Sequence, residues 1–550
     1  MYVRTSFRKN KDGSVAEYLQ LAHNYRDPVK GHSKTEILYN LGRKEEVDEE
    51  AIKRLINSLC RFISPEQATE AQARASHPEL SKFVSSRSAG SGLVLKGIWK
   101  HLHIDKALDK ALKNRAFTAP VAEAIFAMVA NRAINPSSKL AIQDWANQEV
   151  DLDLSQPLQV QHLYRGMDLL LDNAELIQKK VFNATASLLN LMVDVVFFDT
   201  TNIYFETEEV EDSELKAYGN PKDGRSNAPL VTIGLAVTWH GIPIKCWVLP
   251  GNQHDAPTVE KIQRELAGWG LNRVIWVMDR GMTSQENKKF LQRGGGDYIL
   301  GEKLRGPRDS EVALSRGGRY RQVADNLQVK EVYVEQGAAR KRYVVTYNPQ
   351  EAARDQASRQ KILDRVTAEI ERINELSADK RPEAKKRLLA HKTFARYVKE
   401  QKNGRLKIDR AKIREDAKLD GKHLISSSNE KLSAEELAQG YKQLLNVERS
   451  FRTMKTTLDL RPVYHSKDER IHSHVLLCWL ALLLIRVIEN MTNRTWSKVR
   501  FEMNQLHLGE FLAENKRVFR YTELTNEQRS ILKKLNIKPP KQIKHIEELG

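Results

Sequence analysis

Cysteine is scarce in this 550-residue sequence, which has only Cys60, Cys246 and Cys478, far apart and in apolar surroundings. Such a distribution fits neither a disulfide framework nor the spacing of a zinc site. The N-terminal residues also lack the apolar core of a signal peptide. We therefore expect a chain that works in a reducing cytoplasm.

Long apolar runs are scarce as well. The longest, VLLCWLALLLI at 475–485, is too short to span a bilayer and is followed by Arg486. It predicts a buried core helix, and we expect no membrane partner. No glycine-rich phosphate loop follows a predicted strand, because GGG at 294–296 precedes one. The sequence therefore gives little support to a nucleotide site.

Positive charge is what the sequence has in excess. Lys and Arg number 89 against 71 Asp and Glu, which gives a formal charge of +18. An excess of this size favours a polyanionic partner such as nucleic acid, or an anionic membrane surface. Many basic proteins bind no nucleic acid, so charge alone does not decide between these possibilities.

Hydrophobic periodicity predicts an α/β fold with a mixed sheet and divides the chain into six regions. The first three regions are a small antiparallel β module at 1–46, a helical module at 47–150 and the first part of the α/β domain at 151–301. The helical module could serve DNA binding or dimerisation, or its helices could simply pack against one another. The other three regions are a β-rich and helical insertion at 302–425, two further helices of the α/β domain at 426–490, and a basic helical tail at 491–550.

Two apolar strands are each followed by an aspartate. Asp199 follows VDVVFF, and Asp279 follows VIWVM. Acids are poor strand residues and are costly to bury unpaired, so we expect each strand to end at its aspartate. One such aspartate is usually explained by capping of the next turn. A pair in one sheet favours a site for Mg²⁺, which prefers oxygen ligands.

A third acid lies on a predicted helix, YKQLLNVERSFRTMK. Tyr441, Glu448 and Lys455 are spaced by seven residues and would share one stripe, with Arg452 on the same side. The simpler alternative is a surface ion pair between Glu448 and Arg452. A sheet with two aspartates and a helix with a glutamate suits two-metal phosphoryl transfer, in which the basic residues would contact phosphates.

The segments FFDTTNIYFE, WVMDRGM and YKQLLNVERSFRTMKTTLDLRPVYH resemble those of the DDE transposases of bacterial insertion sequences. They are similar to the group with the signature Tyr, two residues, Arg, three residues, Glu, six residues, Lys, except that Leu444 stands in place of the Arg. The resemblance implies an RNase H-like catalytic core interrupted by an insertion. It also implies that Asp199, Asp279 and Glu448 are the catalytic residues and hold two Mg²⁺ ions, which Mn²⁺ can replace.

The resemblance further implies a transposase that binds the ends of its element, cleaves DNA by metal-dependent phosphodiester hydrolysis and joins the freed 3′-hydroxyl to target DNA. Its partners would be double-stranded DNA, both terminal inverted repeats and target, and a second copy in a synaptic complex at the bacterial nucleoid. The expected DNA contacts are Tyr441, Arg449, Arg452, Lys455, Arg280, Lys222 and Arg225.

Two other functions remain open. A catalytically inactive or domesticated protein of the same fold would bind DNA without cleaving it, although all three carboxylates are present. A glycosidase would use a pair of carboxylates without metal, but the charge of +18 argues against a neutral sugar substrate.

Overall fold

The computed structural model describes residues 1–10, 14–26, 33–59, 62, 82–113, 120–191, 193–205, 213–219, 228–253, 255–271, 273–293, 295–335, 340–377, 379–461, 463, 465–513 and 516–548. The chain forms two compact units. The first comprises residues 1–86, 508–522 and 540–550, and the second comprises residues 87–507 and 523–539.

The strands of the described residues are β1 (Tyr2–Lys9), β2 (Val15–Arg26), β3 (Ser33–Arg43), β4 (Lys82–Ser88), β5 (Val195–Tyr204), β6 (Leu230–Thr238), β7 (Pro243–Pro250), β8 (Ile275–Met278), β9 (Asp297–Glu302), β10 (Arg321–Ala324), β11 (Leu327–Val334), β12 (Lys341–Tyr347), β13 (Val398–Glu400), β14 (Leu406–Ile408), β15 (Lys422–Ser427), β16 (His507–Ala513), β17 (Lys516–Tyr521) and β18 (Ile543–Glu548).

The helices are α1 (Glu49–Leu59), α2 (Gly90–His101), α3 (Ile104–Leu112), α4 (Val121–Ile134), α5 (Lys139–Asp144), α6 (Val160–Asp172), α7 (Ala174–Leu188), α8 (Asp255–Ala267), α9 (Gln285–Arg293), α10 (Arg308–Ser315), α11 (Pro349–Glu375), α12 (Arg381–Ala390), α13 (Arg410–Ala417), α14 (Ala434–Lys442), α15 (Leu445–Arg452), α16 (Asp468–Thr492), α17 (Trp496–Met503) and α18 (Asn526–Lys534).

The described residues of the first unit form two antiparallel sheets. Strands β1, β2 and β3 pair in chain order, and β4, β16, β17 and β18 form a sheet in the order β18-β17-β16-β4. The prediction of a helical tail at 491–550 is therefore wrong in part, because that segment also supplies three strands. Few of their residues are buried apolar ones, such as Leu508 and Val518, and the many charged residues around them hide the strands in the sequence.

The second unit is built on one large sheet with the order β10-β11-β12-β15-β9-β8-β5-β6-β7. Within it β5, β8 and β9 are parallel, whereas β6 and β7 run antiparallel to their neighbours. Every residue of β6, LVTIGLAVT, is buried, because the centre of the sheet is covered on both faces. The expected mixed α/β fold is confirmed.

Helix α16 is the central helix of this unit. Its residues 475–485 are apolar around the whole circumference, and the helix is buried against α4, α6 and β7. It is long and apolar enough to cross a membrane, but 89% of its most apolar stretch is buried inside the fold. It is thus the buried core helix predicted from residues 475–485.

Four strands of residues 302–425 join the large sheet, whereas β13 and β14 pair only with each other among the described residues. Strand β15 returns antiparallel to β9, and β12, β11 and β10 continue the same sheet outwards from it. The described residues of the insertion form two apolar clusters: α10 packs against β11, β12 and β15, and α11, α12 and β14 pack together. The insertion is thus β-rich and helical, as expected, but four of its strands extend the sheet that carries Asp199.

Candidate active site

The first aspartate lies inside a strand and not at its end. Strand β5 continues to Tyr204, and Asp199 pairs with Leu235 of β6. The prediction that the strand ends at the acid is wrong, because the residues after it, up to Ile203 and beyond, favour strands and continue the pairing. The carboxylate is partly buried, and its Oδ1 accepts a hydrogen bond from the backbone N–H of Thr200 at 2.7 Å.

The alternation of side chains along β5 decides which face of the sheet carries Asp199. Phe198 points into the core formed with α8 and α9, so its neighbours on either side point to the opposite face. On that face Phe197 contacts the ring of Trp239, whose carbonyl accepts a hydrogen bond from Asn446 of α15 at 3.0 Å. Helix α15 therefore covers the face on which Asp199 stands.

The second aspartate stands beside the first. Strand β8 ends at Met278, as predicted, and Asp279 follows it directly. Strands β5 and β8 are parallel, and Phe198 pairs with Met278. Asp199 and Asp279 are the next residues of the two chain segments and therefore lie side by side. Residues paired in this way lie on the same face of a sheet, so the two carboxylates are neighbours.

Tyr441, at the end of α14, contacts the second aspartate. Its hydroxyl donates a hydrogen bond to Oδ1 of Asp279 at 2.9 Å. Burial and the nearby Asp279 raise the pKa of Tyr441 well above its usual range, so the phenol keeps its proton. The ring fits over Gly301 of β9, where a Cβ atom would collide with the Tyr441 hydroxyl. The hydroxyl is therefore placed to orient the Asp279 carboxylate.

The helix that was expected to carry Tyr441, Glu448 and Lys455 on one stripe is interrupted twice. Between α14 and α15 the N–H of Leu444 bonds the carbonyl of Tyr441, and the N–H of Val447 bonds that of Leu444, each at 3.0 Å. These bonds span three residues, so this turn is tighter than an α-helix and rotates the next side chains about the axis. Lys455 lies beyond α15 in a π-helical turn. The single stripe is therefore wrong, because it requires an unbroken α-helix.

Glu448 lies on the exposed side of α15. The opposite side buries Val447 and Phe451 against β5 and β6. The backbone N–H of Glu448 donates to the carbonyl of Leu444 at 3.4 Å. Within the described part of the chain its carboxylate forms no hydrogen bond or ion pair, so the expected alternative of a surface pair with Arg452 is not realised.

The predicted DNA contacts have different positions. Arg280 is exposed beside Asp279, Arg449 and Arg452 are exposed on α15, and Lys455 is partly buried. Leu444 is 7% exposed, so no charge stands at the signature position. Lys222 and Arg225 lie outside the described residues.

The two aspartates open into a cleft of about 590 Å³ that is rich in positive charge. The charged residues that line it are Asp199, Asp279, Arg280, Lys303, Arg305 and Arg396. Sequence reasoning missed the last three. Lys303 and Arg305 directly follow strand β9, so the rule that drew attention to Asp279 could have found them. Arg396 comes from a turn of the insertion and had no such signal.

The aspartate pair has the donor chemistry of a magnesium site. Mg²⁺ binds proteins through one or two carboxylates and keeps its other positions for water and substrate phosphates, and an open cleft leaves room for both. Across the described ranges there is no group of three or more acidic, histidine or cysteine side chains that could hold a metal ion. Glu448 therefore stands apart from Asp199 and Asp279.

A sheet with the central order β7-β6-β5-β8-β9, three parallel strands and an acid on each of two neighbours defines an RNase H-like protein. Sequence comparison gives the family. The model of the transposase DDE domain matches residues 194–484, more than half of the chain, and that of the IS1634 family transposase N-terminal domain matches residues 3–70. The chain belongs to the DDE transposases.

Individual relatives add little. No curated protein matches the chain. Among solved structures, the cryo-EM structure of the piggyBac transposase synaptic complex with hairpin DNA is similar at 10% identity and a TM-score of 0.36, and covers 75% of this chain and 76% of that chain. A similarity of this degree carries no argument about the fold or the site.

Proposed function

We propose that the protein is the transposase of an insertion sequence, which cleaves DNA at the ends of its element and joins the freed 3′-hydroxyl to target DNA. The observation that carries this proposal is the pair Asp199 and Asp279, side by side in a cleft lined by four cations, in a chain of the DDE transposase family.

Asp199, Asp279 and Glu448 are the proposed ligands of two Mg²⁺ ions, which Mn²⁺ can replace. Such ions would lower the pKa of an attacking water or 3′-hydroxyl and stabilise the leaving oxygen. The protein would contribute to catalysis by positioning the metal ligands. The pairing of β5 with β8 brings the two aspartates side by side, and the hydrogen bond from Tyr441 would orient Asp279. Glu448, exposed and unpaired within the described residues, is available to join them when substrate is bound.

The proposed substrate is double-stranded DNA, first the terminal inverted repeats and then the target. Arg280 lines the cleft, and Arg449, Arg452 and Lys455 follow on or after α15. Lys222 and Arg225 are retained as proposed contacts from the sequence alone. Two ends must be handled together, so we propose a homodimer in the synaptic complex, acting at the bacterial nucleoid.

The test is cleavage of a duplex that carries the DNA bordering the coding frame, with Mg²⁺, Mn²⁺ or chelator. We expect metal-dependent cleavage that is lost in Asp199→Asn, Asp279→Asn and Glu448→Gln, whereas binding of the duplex persists. Glu371→Gln, an exposed acid of α11, is the matched control and should cleave normally. Full cleavage by any of the three variants would remove that residue from the catalytic set.

A second candidate is a DNA-binding protein of the same fold without catalytic activity. The observation that favours it is the position of Glu448, apart from the aspartate pair. A wild-type protein that shifts the duplex in a gel but transfers no strand with either metal would support this candidate and contradict the transposase.

A further inference from the structure

Three of the cations that line the carboxylate cleft come from residues 302–425. Lys303 and Arg305 follow β9, and Arg396 lies in the short turn before β13. Arg305 and Arg396 share a feature that Lys303 lacks. Both are paired with the same carboxylate, that of Asp416 on α13.

Asp416 is only 3% exposed, although it lies in a strongly charged helix. Its Oδ1 accepts a hydrogen bond from Nε of Arg305 at 3.0 Å, and its Oδ2 accepts one from the hydroxyl of Tyr397 at 2.8 Å. The guanidinium of Arg396 lies 3.6 Å from Oδ2. A buried carboxylate needs such partners, and here one negative charge is shared between two positive ones.

The two arginines keep contact with solvent while they are held in this way. Their side chains are 47% and 41% exposed, and in the described residues Asp416 is the acid with which either forms an ion pair. A guanidinium carries five N–H donors, so a contact with Asp416 leaves donors that can reach into the cleft. The pair therefore offers one unit of uncompensated positive charge beside the two aspartates.

A phosphodiester is the anion that this arrangement suits. It carries one negative charge on two oxygen atoms, and a planar guanidinium binds such a group through paired hydrogen bonds. We propose that Arg305 and Arg396 form a phosphate clamp for the DNA strand that enters the cleft, and that Asp416 and Tyr397 are positioning residues that hold the clamp. This inference rests on the proposed function.

The clamp is tested in the full-length protein by binding of the terminal duplex over a range of NaCl concentrations, together with single-turnover cleavage. Each phosphate contact contributes about 0.9 to the slope of log K against log salt. Arg305→Ala and Arg396→Ala should each lower that slope by about 1 and slow cleavage at least tenfold. The control is Arg387→Ala on α12, an 81% exposed arginine paired with Glu383 at 2.8 Å, which should change neither.

The variant Asp416→Asn distinguishes the positioning of the two arginines from a general effect of positive charge on DNA binding. This variant makes the protein more positive, so an effect of charge alone predicts tighter binding and unchanged or faster cleavage. The clamp predicts slower cleavage, because the two arginines lose their common anchor. Tyr397→Phe removes one hydrogen bond and provides the same test with less risk to folding, which thermal denaturation of each variant monitors.

The outcomes are distinct. If Arg305→Ala and Arg396→Ala behave like Arg387→Ala while the wild type cleaves DNA, the clamp is wrong and the proposed function stands. If the wild type neither binds nor cleaves the duplex, the proposed function is wrong, and the clamp, which rests on it, is wrong with it. Arg305→Lys keeps the charge but not the planar group, so full activity in that variant would contradict paired hydrogen bonding to phosphate.

Discussion

Tyr441→Phe removes one hydroxyl and leaves the aromatic ring in place. That hydroxyl donates to Oδ1 of Asp279 at 2.9 Å, and a hydrogen bond to a charged group contributes about 1.5 to 3 kcal/mol. If the bond holds the carboxylate in its reactive position, its loss lowers kcat roughly 10- to 150-fold, since about 1.4 kcal/mol corresponds to tenfold in rate.

The assay is single-turnover cleavage of the terminal duplex with Mg²⁺, beside equilibrium binding of the same DNA. We expect kcat to fall and the affinity for DNA to stay unchanged, because the hydroxyl is engaged with Asp279. A direct contact between Tyr441 and phosphate, the hypothesis from the sequence, predicts weaker binding with a retained rate. That second result would refute the orienting role.

Gly301→Ala tests the same contact from the side of β9. The added methyl group would displace the Tyr441 hydroxyl, so this variant should reproduce the loss of rate seen in Tyr441→Phe. The double variant should be little worse than either single one, because both remove the same interaction. Gly317→Ala is the control, since a Cβ atom there meets nothing within 4 Å. Additive losses of rate would show that Gly301 acts on something else.

The remaining predictions concern buried basic groups of the second unit. Burial, with Arg132 nearby, lowers the pKa of Lys139 to about 8, and keeping it charged at pH 7 costs about 3 kcal/mol. Lys139→Met should therefore raise the urea midpoint at pH 7 whereas the exposed Lys386→Met should not, and the gain of Lys139→Met over the wild type should shrink between pH 8 and about 10.5, where the buried lysine loses its proton. Burial also lowers the pKa of His465 to about 4 and that of His474 well below its usual value. Because an unfolded histidine takes up its proton near pH 6.5, stability should fall as the pH drops from 6.5 towards 4, and His465→Gln should reduce that fall in a urea series.

The two aspartates differ in how well the sequence places them. Asp279 follows a strand of four residues and precedes Gly281, so the end of the strand is visible in the sequence. Asp199 interrupts a run of strand-forming residues that continues to Tyr204, and its position inside β5 depends on pairing with β6. Local preference predicts where a strand can form, whereas the partner strand decides where it ends.

The helical segment shows a second limit. The sequence shows that Tyr441, Glu448 and Lys455 are seven residues apart. The directions in which their side chains point depend on the turn at Leu444 and on the π-helical turn after α15. Each change in the number of residues per turn rotates the side chains beyond it. No residue in this stretch is a glycine or proline that would announce the interruption, except Gly440, which lies inside α14.

The contacts of Asp416 were beyond prediction for another reason. In the sequence it is one acid among many charges between 351 and 420, and such a run usually indicates a solvated helical face. Its burial arises only when α13 packs beside the turn that carries Tyr397. Long-range packing of this kind leaves no periodic mark in the sequence.

The continuity of the large sheet limits how the protein can be shortened. Strand β15, which closes the segment 302–425, is hydrogen-bonded to β9, and β9 in turn pairs with the strand that precedes Asp279. Deletion of the whole segment would leave β9 as an edge strand with a row of unpaired backbone N–H and C=O groups. Such an edge promotes aggregation. A minimal catalytic fragment would therefore have to retain β15 as a cover for that edge, even if every helix of the insertion were dispensable.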